Sequence, residues 1–155
     1  MSAYLFVLTM HSWMRWVALA LGSAATLNAF LTRRESPGRE GRSRWDTFFM
    51  LAVDLQVLLG LVLYFGLSPA TTAGMNDLRG ALHTPVLRFW TFVHILSMFG
   101  AAALVRAGRV LAMLAPTADT RRKRRGVAFV AALLVMVAAI PWPGTTAGRP
   151  LFRTW

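Results

Sequence analysis

Long apolar runs separated by short polar breaks dominate this chain. Tyr4–Leu31 carries His11, Arg15 and Asn28 as its strongly polar members, and Trp45–Gly66 carries Asp46, Asp54 and Gln56. Leu87–Val105 carries Arg88 and His94, and Gly126–Pro143 carries no charge. About 20 predominantly apolar residues cross a bilayer as a helix. Backbone groups in lipid must bond within the protein, and strands would need a closed barrel of alternating polarity, a pattern absent here. The sequence therefore predicts an all-α integral membrane protein, a four-helix up-down bundle with helices at about 4–31, 45–66, 87–107 and 126–141. Arg106 and Arg109 can snorkel, which lets the third helix run on towards Leu114.

The breaks are equally legible. Residues 32–44 mix Pro37, Gly38 and Gly41 with charge, and residues 108–125 end in five consecutive basic side chains, Arg121–Arg125. Both read as short polar loops. Residues 67–86 hold Pro69, Gly74, Gly80 and Pro85 and read as a longer connection on the opposite side. Pro141 ends the fourth helix because it lacks an amide donor, leaving 142–155 as a tail.

Charge fixes the direction. Of 155 residues, 17 are Lys or Arg and 6 are Asp or Glu, a net charge of +11. Twelve of the seventeen sit at one end of the bundle, on Arg33, Arg34, Arg39, Arg42, Arg44, Arg106, Arg109 and Arg121–Arg125. Basic residues in short loops mark the cytoplasmic side, so both termini are expected outside, in a bacterial cytoplasmic (inner) membrane. Trp13, Trp16, Trp90, Trp142 and Trp155 then fall near the outer interface, where amphipathic rings settle. The first helix lacks a basic leader and reads as retained rather than cleaved. Confined to topogenic positions, the positive charge argues against nucleic acid as a partner and for the lipid bilayer.

Ionisable residues inside membrane helices are costly and mark function by default. The first and third helices run in the same direction and lie diagonally across such a bundle, so His11 and His94 face one another. Two neutral imidazoles from opposite helices suit the axial positions of a haem iron, with Arg15 and Arg88 as partners for its propionates. The absence of cysteine excludes covalent c-type attachment and leaves haem b. Depth is the difficulty: His11 lies about 30 Å above Leu31, whereas His94 lies only about 18 Å above Arg106. Tilt or a longer third helix must close that gap. Asp54, near mid-membrane, either accepts a hydrogen bond from His94 or is a protonated structural residue. Gln56 reads as helix–helix glue and His83 as a solvated loop residue. A Gly-rich phosphate loop, a nucleophile elbow, a His-Glu-x-x-His motif and paired carboxylates are all missing, which argues against nucleotide hydrolysis and proteolysis.

The stretches His11–Trp16 (HSWMRW), Asp54–Phe65 (DLQVLLGLVLYF) and Pro85–Ile95 (PVLRFWTFVHI), with AIPWP (139–143) and GRPLF (148–152), together cover much of the chain. In these motifs it resembles a family of small bacterial four-helix membrane proteins described as cytochrome b-like. That resemblance implies a four-helix integral membrane protein in which His11, His94 and Arg15 match family positions. Members often carry histidine where this chain has Asp54. Two functions are expected from the residues and the resemblance together. One is a b-type cytochrome passing electrons near the outer face, to a quinone or a periplasmic redox partner. The other is a cofactor-free accessory subunit of a larger respiratory or photosynthetic complex.

Overall fold

The computed structural model of the chain describes residues 2–31 and 43–152. The expected loop at 32–44 falls almost wholly outside the described residues, as do Arg153 and Trp155. The chain is all-α, and no strand occurs among the described residues. Helix α1 is Ala3–Leu31 and α2 is Arg44–Val62, the latter running into a π-helical turn, Leu63–Leu67. Two short helices follow, α3 (Pro69–Asn76) and α4 (Leu78–His83). A single turn, α5 (Pro85–Arg88), passes through a second π-turn, Phe89–Val93, into α6 (His94–Met113), and α7 is Ala118–Ala138.

Local chemistry sets several of these boundaries. Ser43 Oγ accepts from the Trp45 amide to open α2, and Thr117 Oγ1 accepts from the Thr120 amide to open α7. Asp77 Oδ1 accepts from the Gly80 amide at 2.8 Å to open α4, while Pro69 and Pro85 occupy the first turns of α3 and α5. The connection at 67–86 is therefore mostly helical. The third long helix continues to Met113 and the fourth begins at Ala118, which reduces the expected 108–125 loop to residues 114–117. Arginine and alanine are good helix formers, so a basic stretch need not leave the helix.

Among the described residues, three helical stretches are long and apolar enough to cross a membrane: Ala3–Leu31, Arg44–Leu67 and Pro85–Met113. Helix α7 differs because its first two turns carry Arg121–Arg125; its uncharged part, Gly126–Ala138, is about 20 Å long.

Helix α1 packs on α2 and α7, and α6 packs closely on α7 and less extensively on α2. The core between them is built from small residues, Ala18, Ala25, Ala52, Ala101, Ala102 and Ala132, around two fully buried rings. Phe49 and Phe129 meet edge to face at 5.4 Å. Gly22 lies directly under Phe49, where a Cβ would come within 2.7 Å of the ring. Small residues allow helices to approach closely where lipid offers no hydrophobic contrast. The outward faces are rich in leucine, including the exposed Leu27, Leu51, Leu58, Leu96 and Leu134.

Near the basic end, Asp46 and Arg125 form an ion pair that is 0% and 2% exposed, 3.3 Å apart. It ties the start of α2 to α7, and neither residue stood out in the sequence.

Candidate functional site

The three histidines take different places. His83 is exposed at the end of α4. His11 and His94 meet between α1 and α6 with ring centres 6.2 Å apart and planes at 68°. The expected depth gap is closed because α6 extends past Arg106 to Met113, adding about 10 Å below His94.

Each ring is held by a neighbour. His94 Nδ1 lies 2.9 Å from the Ala139 carbonyl oxygen at the end of α7. A carbonyl can only accept, so Nδ1 carries the proton and Nε2 keeps its lone pair. His94 Nε2 has no hydrogen bond among the described residues. The Gln56 side-chain amide meets His11 Nε2 at 3.2 Å, leaving His11 Nδ1 and Gln56 Oε1 buried without a hydrogen-bond partner. Gly60, one turn beyond Gln56, makes room for His11; a Cβ there would lie 3.2 Å from His11 Cε1.

Both π-turns lie beside this pair. The amide of His94 bonds back to Phe89 across the second, and the amide of Ser68 bonds to Leu63 across the first at 2.8 Å. Such widened turns recur at functional sites because they redirect the side chains that follow. Tyr64, inside the first, donates its hydroxyl to the Thr91 carbonyl inside the second at 2.9 Å.

The histidines line a cavity of about 100 Å³ together with Gln56, Gly60, Tyr64 and Met98. A smaller cavity of about 40 Å³ shares all six of these residues and extends towards Val57, Leu61, Ile95 and Phe99, between α2 and α6. The C-terminal tail returns over the mouth of the larger one. Arg15 Nη2 and Trp16 Nε1 donate to the Leu151 carbonyl at 2.6 Å and 3.3 Å, and Phe152 stacks on Trp16 at 5.3 Å. Arg149 donates to the Tyr4 hydroxyl at 3.0 Å and lies 4.6 Å from the Trp90 ring centre. Trp90, Tyr4, Arg15 and Arg149 all line the cavity. The sequence stretches quoted above thus converge on one space.

Two expected members lie elsewhere. Arg88 is exposed on α5 and does not line either cavity. It stands six residues before His94, a spacing that does not place two side chains on one helix face. Arg149 occupies the place expected of it. The Asp54–His94 hydrogen bond is not formed; Asp54 pairs with Arg106 on the outside of the α2–α6 seam. Gln56 is the residue of α2 that reaches a histidine. Two residues along a helix turn about 200°, so Asp54 and Gln56 cannot face the same way.

A metal bound here would be held by two imidazoles. Among the described residues no group of three or more His, Asp or Glu side chains gathers as a metal cage. Such a metal must take its other ligands from a molecule that carries them, as haem iron does. Two nitrogen–metal bonds of about 2 Å each put imidazole centres about 6 Å apart, which the 6.2 Å separation matches. The donor set fits haem iron. The enclosed space is smaller than the macrocycle, since a cavity of about 150 Å³ holds only a benzene.

No family model, curated protein or solved structure matches the chain.

Proposed function

We propose that the chain is a b-type cytochrome-like protein of the bacterial cytoplasmic membrane, a four-helix up-down bundle with both termini on the periplasmic side. In this reading His11 and His94 would hold the iron of a haem b between α1 and α6. The resemblance to cytochrome b-like membrane proteins points the same way. The observation that carries the proposal is the pair of imidazoles from α1 and α6 with ring centres 6.2 Å apart. When bound, haem supplies one-electron chemistry; the protein supplies ligands, charge and exclusion of water.

The residues divide that work. The Ala139 carbonyl holds His94 in the tautomer that leaves Nε2 free and makes it a stronger donor. Gln56 must release His11 Nε2 for that nitrogen to act as a ligand. Arg15 and Arg149, at the cavity mouth, would pair with the propionates. A porphyrin needs more room than the closed cavities give, and the seam between α2 and α6, the least extensive of the contacts described between the long helices, is where that room would open. The outer position of the site suits exchange of electrons with a quinone or a periplasmic redox partner.

The test is a reduced-minus-oxidised absorption spectrum of the full chain, purified in detergent from haem-replete cells. Soret and α-band changes are expected, lost in His11→Ala and in His94→Ala. Absence of both bands from the unmutated protein would sink the proposal.

One contact favours a second reading. Gln56 already satisfies His11 Nε2, as expected of a cofactor-free accessory subunit in a larger respiratory or photosynthetic complex. That reading predicts a featureless visible spectrum together with stoichiometric co-purification of larger subunits.

A further inference from the structure

The outside of the α2–α6 seam carries a charged pair that the proposed site does not use. Asp54 and Arg106 are 38% and 50% exposed, and Asp54 stands near the middle of the Arg44–Leu67 span. A charged pair open to hydrocarbon is costly, and membrane proteins turn such groups inward or cover them. Here the pair sits in a groove of about 480 Å³, walled by Val57, Leu58 and Leu61 of α2 and by Phe99, Ala102 and Ala103 of α6. Beside it Gly100 is exposed, and a Cβ added there would meet no atom within 4 Å.

We infer that this face binds a second copy of the chain, forming a parallel dimer about a two-fold axis normal to the membrane. Charge chooses the occupant. The patch holds one carboxylate and one guanidinium at the same depth, so it is complementary to itself. A two-fold axis through the groove sets Asp54 of each copy against Arg106 of the other, giving four groups of alternating sign shielded from lipid. A partner of one sign, or an anionic lipid headgroup, would answer only one member of the pair. Gly100 and Ala103 let the two copies of α6 approach closely, as small residues do between membrane helices. The interface is isologous, which a two-fold dimer requires.

The chain has no cysteine, so single engineered thiols report proximity without interference. In the full chain reconstituted in liposomes, Ala103→Cys should form a disulfide-linked dimer under mild oxidation. Leu134→Cys, exposed on α7, should not. Asp54→Arg should weaken the dimer about tenfold or more, and combining it with Arg106→Asp should restore it, because the alternation survives with signs exchanged. Gly100→Leu should weaken the dimer by a similar factor with helical content unchanged, and it decides the matter if Asp54→Arg fails to insert. A monomer in the bilayer overturns the inference, as does cross-linking at Leu134 in place of Ala103, or a reversed pair that does not restore association. Occupation of this face by a different membrane protein or by anionic lipid in place of a second copy also overturns it. The inference uses the membrane-spanning reading and not the haem. A chain found in the aqueous fraction overturns both, whereas a monomer in liposomes overturns the dimer alone.

Discussion

His94 Nδ1 lies 2.9 Å from the Ala139 carbonyl oxygen, and that contact decides which ring nitrogen is left for a ligand. The proton must sit on Nδ1, because a carbonyl has none to give. Nitrogen NMR of the cofactor-free chain should therefore find His94 neutral and protonated at Nδ1. A ring protonated at Nε2 would remove the basis for the ligand assignment.

Gln56 and His11 compete differently from what their contact suggests. If Gln56 only restrains the ring, Gln56→Leu frees His11 Nε2 without removing a ligand. Titration of haem into this variant should show binding at least as tight as in the unmutated chain, while His11→Ala loses the six-coordinate spectrum. Loss of haem in Gln56→Leu would mean that the amide itself is needed to orient the ring.

The Asp46–Arg125 pair is buried on both sides, so removing either partner takes the counter-charge of this pair away from a buried group. Asp46→Leu or Arg125→Leu alone should cost about 3–5 kcal/mol, whereas Asp46→Leu with Arg125→Met should recover most of it. Thermal unfolding in detergent measures both. A loss in the double variant equal to the sum of the two single losses would show that the pair is not coupled.

Gly22 separates α1 from the rigid ring of Phe49, which itself abuts Phe129. Gly22→Ala should therefore destabilise by about 1–3 kcal/mol through overpacking. Gly66→Ala, where an added Cβ meets nothing, should stay within about 1 kcal/mol of the original or improve on it. Chemical denaturation of the two variants side by side gives the comparison.

Arg15 anchors the tail through the Leu151 carbonyl at 2.6 Å. Arg15→Met leaves the longer bond from Trp16, the ring contacts of Phe152 and the contacts of Arg149 with Tyr4 and Trp90. Amide hydrogen exchange at Gly148 and Leu151 should become about tenfold faster or more, with α2 and α7 unaffected. Unchanged exchange would assign the tail's anchorage to those remaining contacts.

Much of the helical layout could be read from hydropathy, because an uninterrupted apolar stretch in lipid leaves the backbone no other choice. His11 and His94 were also legible, as ionisable groups set among apolar neighbours. The errors have physical causes. Residues 118–125 read as loop because charge was taken as a break, although basic side chains leave a helix end intact and project into water, as was allowed for the third helix running on towards Leu114 past Arg106 and Arg109. Asp54 was placed by depth without regard to direction, and two residues separate it from the side of α2 that meets His11. Gln56 gave a weak signal, since a neutral amide in an apolar helix is more often a packing residue than a neighbour of a site. Arg149 gave none, because only the return of the tail across the helix ends carries it to the cavity.

The two π-turns carry a consequence of their own. Each accommodates an extra residue within a turn, and the one at Phe89–Val93 stands immediately before His94. Deleting a single residue there would restore ordinary α-helical spacing and leave the flanking helices in nearly the same phase, since five residues at about 4.4 per turn and four at about 3.6 per turn sweep almost the same angle. Trp90 and Thr91, inside the shortened turn, would shift relative to the cavity and to the Tyr64 hydroxyl. The alignment of this site therefore rests on a widened turn, set by how many residues intervene as much as by which ones they are.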